Sequence, residues 1–280
     1  MQLTIDRNYL LRGADNVPFL ADLFYAKGDR QPVIIFLHGF KAFKDWGPWQ
    51  KVARQFAENG FITVLFNFSH NGTSIDHPES FVNKDLFSKW TISRDLEDIN
   101  AVLNWINSED FPAKEFKGNK LFFVGHSRGG SLAIIAGAEL GCNGVVTWNA
   151  PADFFSHWNK ELLDQWQKEG IIYIENKRTG EKLPYSYEVY VDYKQNEDKY
   201  TPVKRIKDLS VPVLIVHGDQ DETVPVENAY RLKEANPSVN LEIISGGTHT
   251  FGGKHPYEES NLIEPLNTVV KKTISFLKST

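Results

Sequence analysis

A serine flanked by two glycines follows a short apolar run in the middle of the chain. Residues 121–124 are Leu-Phe-Phe-Val, and Gly125, Ser127 and Gly129 come directly after them. Residues 131–138 are small or apolar, as in a buried helix. A strand that turns sharply into a helix exposes a serine hydroxyl at the turn, and the glycines relieve crowding there. The pattern predicts Ser127 as a nucleophile, with the positive end of the helix dipole directed at the reacting group.

A nucleophilic serine requires a base, and the base requires an orienting acid. Residues 212–217 are typical of a buried strand, and the loop that follows contains Asp221. Residues 241–244 form another short apolar run, before a glycine-flanked loop that contains His249. A histidine in hydrogen-bond reach accepts the serine proton, and a carboxylate sets the histidine tautomer. We therefore predict Asp221 and His249 as the acid and base that serve Ser127.

The tetrahedral oxyanion of such a reaction needs hydrogen-bond donors. Residues 33–37 predict a strand that ends in His38-Gly39-Phe40. We expect the backbone amides of Phe40 and of Arg128, the residue after the serine, to form the oxyanion hole. The Arg128 side chain either pairs with an acidic helix residue or reaches the substrate. We expect no cofactor and no metal, because no His, Asp and Cys residues have metal-ligand spacing.

The chain order serine, aspartate, histidine is the order that the α/β-hydrolase fold produces. On these motifs the chain resembles α/β hydrolases, in particular the dienelactone-hydrolase-like and prolyl-oligopeptidase-like serine esterases that include cinnamoyl esterases. The resemblance extends over nearly the whole length. In that family the acid lies in a Gly-x-x-Asp-x-x-Val-Pro pattern, which selects Asp221 over Asp219 on the same loop. The family often has Asp or Arg before a glycine where this chain has Ser-His-Asn-Gly-Thr at 69–73, so this predicted pocket edge differs.

Strands and helices alternate along most of the chain, which predicts an α/β fold with a mostly parallel central sheet and helices on both faces. Residues 2–7 and 19–26 predict a hairpin at its start. Further strands are expected at 33–37, 61–68, 121–124, 144–148, 212–217 and 241–244, and helices at 48–59, 90–107, 226–235 and 258–277.

The alternation stops between residues 149 and 204, where aromatic and charged residues dominate. We predict a core formed by residues 1–150 and 206–280 and a small cap insertion at 151–205. Phe154, Phe155 and Trp158 follow a predicted strand directly, so we expect them to line the substrate pocket. The alternative is that the aromatic rings of the insertion form a small core of its own.

Composition excludes several kinds of partner. The 280 residues carry a net charge of −5 without a basic block, which argues against nucleic acid and anionic membranes. Cys142 is the single cysteine, so no internal disulfide forms and a cytoplasmic location is expected. The first seven residues lack a signal-peptide pattern, and no apolar run approaches membrane-spanning length. We expect a small-molecule ester as partner, and the oligomeric state stays open.

Three functions fit these patterns. The first is a serine hydrolase that cleaves carboxylic esters of small or aromatic acyl groups through an acyl-enzyme. The second is a serine peptidase of the prolyl-oligopeptidase or aminopeptidase type. Such a peptidase usually binds the substrate amine with cap carboxylates, for which Glu161, Asp164, Glu169 and Asp192 are available. The third is a ligand-binding relative that keeps the triad without turnover.

Overall fold

A computed structural model describes residues 2–156 and 158–280 of the chain. Within them, eight strands form one central sheet and two form a separate hairpin. In chain order the strands are β1 (Leu3–Arg12), β2 (Pro18–Ala26), β3 (Gln31–Leu37), β4 (Ile62–Phe66), β5 (Lys117–His126), β6 (Gly144–Trp148), β7 (Ile171–Asn176), β8 (Glu181–Ser186), β9 (Val213–Gly218) and β10 (Asn240–Ile244).

The helices cover both faces of the sheet and make up much of the segment between β6 and β9. They are α1 (Trp49–Glu58), α2 (Lys84–Ser88), α3 (Ile92–Asn107), α4 (Arg128–Leu140), α5 (Lys160–Glu169), α6 (Glu188–Gln195), α7 (Glu197–Tyr200), α8 (Pro202–Arg205), α9 (Glu227–Ala235) and α10 (Leu266–Ser279). Short 3-10 turns lie at Ala14–Asn16 and Ile206–Asp208. No helix of residues 2–156 and 158–280 is both long enough and apolar enough to cross a membrane.

The central sheet has the strand order β1-β2-β4-β3-β5-β6-β9-β10. The pairs β1–β2 and β2–β4 are antiparallel, and every later pair, from β4–β3 to β9–β10, is parallel. The predicted α/β fold with a mostly parallel sheet is confirmed. Since the carboxyl ends of parallel strands share one edge, the loops after β3, β5, β9 and β10 are brought close together.

Apolar side chains fill both faces of the sheet. In β3, Ile35 belongs to the core beneath α3 and α4, whereas Ile34 and Phe36 belong to the core beneath α1 and α10. This alternation follows from the two-residue side-chain period of a strand. A parallel sheet covered on both faces requires such continuous apolar strands.

The closing helix and the first strand differ most from their predicted bounds. The closing helix begins at Leu266 and not at 258, because the backbone before a proline is restricted and Pro265 therefore marks the helix start. The first strand extends to Arg12, beyond the predicted end at residue 7. An irregularity in register between Asp6 and Tyr9, with Asn8 at φ 63°, interrupts the alternation by which strands are predicted.

The segment predicted as a cap contains α5 to α8 and the β7–β8 hairpin. Its aromatic side chains pack on one another around Trp166, which is fully buried. The Trp166 ring centroid lies 4.9 Å from that of Trp158 and 5.2 Å from that of Tyr185. These aromatic residues pack on one another within the same apolar core as the sheet residues beneath α3 and α4. The division of the chain into core and cap remains a prediction.

Candidate active site

Ser127 occupies the turn between β5 and α4 with φ 54° and ψ −124°, a backbone conformation that residues other than glycine rarely adopt. A Cβ atom at Gly125 would lie 2.1 Å from the carbonyl oxygen of Gly129. One at Gly129 would lie 2.0 Å from the carbonyl oxygen of Leu37 on β3. Both positions therefore require glycine, since any side chain would push the turn apart.

The structure brings Ser127, Asp221 and His249 into one hydrogen-bonded chain. His249 Nε2 lies 3.0 Å from Ser127 Oγ, and His249 Nδ1 lies 2.8 Å from Asp221 Oδ2. The serine follows β5, the aspartate follows β9 and the histidine follows β10. The Asp221 carboxylate is fully buried, and the His249 side chain is 21% exposed. This geometry permits proton transfer from the hydroxyl to the imidazole.

The Asp221 carboxylate is held by both of its oxygens. Its Oδ1 accepts hydrogen bonds from the backbone amides of Thr223 and Val224, both at 2.8 Å. Burial raises the pKa of Asp221, but the hydrogen bond and charge of His249 together with the two amides outweigh this effect, so its pKa lies below the ordinary value. Asp219, the alternative acid, is exposed and bonds to the Gly246 amide at 2.7 Å.

Asn149 cross-links the loops that hold Asp221 and His249, a role that the motifs did not reveal. The residue is buried at the end of β6 with φ 50°. Its Nδ2 donates to the carbonyl oxygens of Thr248 (3.0 Å) and His249 (2.8 Å), and its Oδ1 accepts from the Gly218 amide at 2.8 Å. Its place directly after a parallel strand is the signal that could have identified it.

His126 also supports the His249 loop. Its Nε2 donates to the carbonyl oxygen of His249 at 2.7 Å. Burial, followed by the neighbouring His249, lowers the pKa of His126 to about 3. The ring is therefore neutral at physiological pH and acts as a hydrogen-bond donor to the loop.

The predicted oxyanion-hole residues lie at the ends of adjacent strands. Phe40 follows β3, and Arg128 is the first residue of α4, after β5. Among the described residues, neither backbone amide donates to another group of the chain. A Cβ atom at Gly39 would lie 3.1 Å from Ser127 Cβ, which shows how closely the Phe40 turn approaches the serine. Both amides are near the serine without an intramolecular acceptor.

The Arg128 side chain pairs with a buried aspartate of α3. Its Nε and Nη2 donate to Asp95 Oδ2 at 3.1 and 2.6 Å, and Trp90 Nε1 donates to Asp95 Oδ1. The guanidinium carbon lies 5.2 Å from the Trp90 ring and 5.4 Å from the Phe154 ring. Burial raises the pKa of Asp95 to about 6, against the opposing effects of Arg128 and Trp90. Of the two alternatives for this arginine, the structure shows the pairing with an acidic helix residue.

A mostly apolar cavity of about 650 Å³ opens beside Ser127 and His249. Phe154, Phe155 and Trp158 all line it, although Phe155 and Trp158 also belong to the aromatic cluster around Trp166. The segment between β6 and β9 contributes Pro151, Asp153, Phe154, Phe155, Ser156, Trp158, Ile174, Asn176, Lys177, Arg178 and Tyr185 to the lining.

The expectation that residues 69–73 form a pocket edge was wrong. The loop at 69–73 is buried and does not line the cavity; there, Ser69 donates its amide to Asp98 of α3. The aromatic loop after Phe40 does line it, through Lys41, Ala42, Trp46 and Trp49. The turn of the β7–β8 hairpin also lines the cavity, through Asn176, Lys177 and Arg178.

The carboxylates considered for binding a substrate amine lie elsewhere. Glu161, Asp164 and Glu169 are exposed on α5, and Asp192 accepts hydrogen bonds from the backbone amides at the start of α3. None of the four lines the cavity. Throughout residues 2–156 and 158–280, His, Cys, Asp and Glu side chains form no group of three or more that could hold a metal ion.

Comparison with known proteins gives a family match over most of the chain. The model of the BD-FAE family matches residues 22–235. A curated relative, the "Uncharacterized peptidase YtmA" of Bacillus subtilis (strain 168), is 23% identical over 224 residues, which cover 78% of this chain and 74% of that protein.

Solved structures share the fold at low sequence identity. Est1E from Butyrivibrio proteoclasticus, with bound ferulic acid, superposes with a TM-score of 0.72 at 21% identity, covering 97% of this chain and 98% of that one. The α/β hydrolase GrgF from Penicillium sp. sh18 superposes with a TM-score of 0.73 at 15% identity, covering 100% and 99%.

Proposed function

This chain belongs to the BD-FAE family of α/β hydrolases, and from that premise we propose that it is a serine hydrolase acting on carboxylic esters of small or aromatic acyl groups. The proposal depends above all on His249, whose two ring nitrogens contact Ser127 Oγ and Asp221 Oδ2. A serine or histidine with a purely structural role does not require this chain of hydrogen bonds. The strained backbone at Ser127 supports the same assignment.

Acylation begins when Ser127 Oγ attacks the ester carbonyl carbon while its proton passes to His249 Nε2. The low pKa of Asp221 keeps that carboxylate ionised, so it stabilises the imidazolium and fixes the tautomer. The amides of Phe40 and Arg128 donate to the oxyanion. The intermediate then collapses, His249 gives its proton to the departing alkoxide, and the acyl group stays on Ser127 as an ester.

Deacylation repeats these steps with water as the nucleophile. His249 accepts a proton from water as its oxygen attacks the acyl carbon, and the same two amides stabilise the second oxyanion. The collapse breaks the bond to Ser127 Oγ, which recovers its proton from His249. The products are a carboxylic acid and an alcohol, and the enzyme returns to its initial state.

The cavity favours apolar or aromatic acyl groups. Its lining is mainly apolar, and the rings of Phe154, Phe155 and Trp158 contribute to it. Small-molecule sites typically combine such walls with a few polar anchors. The structural neighbour Est1E was solved with ferulic acid, an aromatic acid, which supports an aromatic acyl group for this chain as well.

Peptide hydrolysis is the second candidate, because a curated relative bears the name of a peptidase. The position of Glu161, Asp164, Glu169 and Asp192 outside the cavity lining argues against an amine-binding site built from them. We therefore rank ester hydrolysis first. A ligand-binding protein without turnover is the third candidate.

Covalent labelling tests the nucleophile. We expect a fluorophosphonate to add one label per chain, located on Ser127 by mass spectrometry of peptides. The Ser127→Ala protein should take no label and should not hydrolyse nitrophenyl acetate. Labelling that persists in this variant would disprove the assignment.

A substrate panel then separates the three candidates. Nitrophenyl esters of acetic, butyric, benzoic and cinnamic acid are compared with nitroanilides of single amino acids. Ester turnover that requires Ser127 supports the proposal. Preferential cleavage of the nitroanilides would identify a peptidase, and binding of the acids without any turnover would identify a ligand-binding protein.

A further inference from the structure

The charged residues around the cavity are predominantly basic, although the chain as a whole has a net charge of −5. Lys41, Arg128, Lys177 and Arg178 line the cavity, and within the described part of the chain Asp153 is the one acidic residue of the lining. A concentration of one sign of charge around a low-dielectric cleft raises the local concentration of oppositely charged substrates. The cavity therefore has the electrostatics of a site for an anion.

Two of these five charges are already satisfied inside the protein. Arg128 is paired with Asp95. Asp153 accepts hydrogen bonds from the amides of Phe155 (2.8 Å) and Ser156 (3.0 Å) and from the Tyr193 hydroxyl at 3.2 Å. The excess positive charge therefore lies with Lys41, Lys177 and Arg178.

Lys41, Lys177 and Arg178 have no ion-pair partner among residues 2–156 and 158–280. Lys41 Nζ instead donates to the backbone carbonyl oxygen of Glu175 at 3.0 Å. Burial and then the nearby Lys177 lower the pKa of Lys41, and only the Glu175 carboxylate opposes them. An anion bound between these cations would relieve the repulsion between them.

Asn176 adds an unpaired donor at the same rim. It lies between Glu175 and Lys177, lines the cavity and is 4% exposed. Its Oδ1 accepts from the Arg178 amide at 3.3 Å, which fixes the orientation of the side-chain amide. Its buried Nδ2 has no hydrogen-bond partner in the described part of the chain. An unpaired buried donor is unfavourable, and this one belongs to a residue of the cavity lining.

We propose that the substrate is an ester that carries a carboxylate, held by Lys41, Lys177 and Arg178 while its ester carbonyl lies at Ser127. This inference rests on the proposed ester hydrolysis and narrows its substrate class. The carboxylate belongs either to the acyl part, as in a half-ester of a dicarboxylic acid, or to the alcohol part, as in an ester of a hydroxy acid. The two forms share the same recognition chemistry.

Matched ester pairs test the inference. On the acyl side, mono-nitrophenyl adipate is compared with the nitrophenyl ester in which a CH(CH₃)₂ group replaces the carboxylate. On the alcohol side, acetoxybenzoate is compared with the acetate ester of isopropylphenol. For each pair, the ratio of kcat/KM for the anionic ester to that for the neutral ester measures the preference.

The test variant is Lys177→Gln with Arg178→Gln, both exposed turn residues. The control is Lys160→Gln with Lys168→Gln, which removes the same charge from exposed positions on α5 outside the cavity lining. We expect the preference ratio of one pair to fall about tenfold in the test variant at low salt and to stay unchanged in the control. In the unmodified protein, added salt should lower the same ratio, because it screens exposed charges.

An unchanged ratio in the test variant, or an equal fall in both variants, would overturn the inference. Ser127-dependent hydrolysis of neutral esters alongside either result would leave the proposed function intact. If no ester is hydrolysed, calorimetric titration of adipate into both variants decides the matter. Binding that is weaker than in the unmodified protein in the test variant alone would support the anion site. Binding of equal strength in all three proteins, or no binding, would overturn it.

Discussion

Asp219 and Asp221 lie two residues apart on one loop, yet their carboxylates have different partners. Asp221 Oδ2 bonds to His249 inside the protein, whereas Asp219 Oδ1 bonds to the Gly246 amide at the surface. At the scale of single residues, the hydrogen-bond partner of each carboxylate therefore distinguishes the two aspartates. Composition alone would treat the two residues as equivalent.

Substitution of the two aspartates should separate them. Asp221→Asn retains an oxygen for the Thr223 and Val224 amides but presents an NH₂ group to His249, which selects the wrong imidazole tautomer. We expect kcat to fall about 10⁴-fold with little loss of stability. Asp219→Asn serves as the control and should change kcat only slightly. Steady-state kinetics on nitrophenyl acetate measures both, and equally small losses would place the acid elsewhere.

A second prediction concerns the buried pair formed by Arg128 and Asp95. Replacing Arg128 by Met leaves the Asp95 carboxylate buried without its cation, and we expect a loss of about 3–5 kcal/mol in the free energy of unfolding. Asp95→Asn preserves an oxygen for the Trp90 indole but leaves the guanidinium unpaired, so it should also destabilise. The double variant buries no net charge and should be more stable than the sum of the single losses implies. Urea unfolding gives the free energy of unfolding of the unmodified protein, the two single variants and the double variant. Additive losses would contradict the pairing.

At the scale of elements, several parts of the chain have two tasks. The turn into α4 holds Ser127 and closes on β3, which is why Gly129 has no room for a side chain. The segment between β6 and β9 packs its aromatic rings around Trp166 and also lines the cavity. These rings thus belong to the apolar core on one face of the sheet and also border the cavity, while their role as substrate pocket stays a prediction.

Substitution of Trp158 tests whether one residue contributes both to packing and to the cavity wall. Its ring lies 5.5 Å from Phe155 and 4.9 Å from Trp166, and the residue lines the cavity. We expect Trp158→Ala to weaken catalysis on cinnamoyl or benzoyl esters by about 1–3 kcal/mol and to leave acetate esters nearly unchanged. Tyr173→Ala is the control, because Tyr173 is 67% exposed and outside the lining.

The melting temperature of each variant must be followed beside the kinetics. In Trp158→Ala, the loss of packing against Trp166 would lower the melting temperature. A kinetic loss of equal size for every acyl group would assign Trp158 to packing alone and would remove it from the pocket wall.

At the scale of the whole molecule, buried carboxylates connect distant parts of the chain. Asp98 of α3 accepts the backbone amides of Ala14 (2.9 Å), at the β1–β2 connection, and of Ser69 (2.7 Å), after β4. It thereby fixes the antiparallel end of the sheet to the helix layer. Burial nevertheless raises the pKa of Asp98 to about 7, against the opposing effect of these amides.

This raised pKa predicts a pH dependence of stability. The ordinary pKa of the group is 3.8 and the folded-state value is about 7, so between them the folded protein binds more protons than the unfolded chain. The contribution of Asp98 to stability is therefore fully present below pH 3.8 and is lost as the pH rises through about 7. Asp98→Asn lacks this titration, so its free energy of unfolding should fall less over that interval. Urea unfolding at a series of pH values checks this, and parallel curves for the two proteins would contradict it.

Local patterns predicted most of the fold. The strands β3, β5, β6, β9 and β10 and the helices α1, α3, α4 and α9 lie close to their predicted positions, because each depends on apolar periodicity and on nearby glycine or proline. The prediction was wrong where a local irregularity interrupts the period, as in β1, or where a proline delays a helix, as in α10.

The sequence by itself determined the α/β fold class and the candidate residues Ser127, Asp221 and His249, because each of these residues follows a strand and parallel strands bring their carboxyl ends together. Only the tertiary structure decided what surrounds them. The pairing of Arg128 with Asp95, the cross-link through Asn149 and the approach of the β7–β8 turn to the cavity join residues far apart in the chain. Such contacts depend on how helices and loops pack against the sheet, and no short-range pattern of residues encodes that packing.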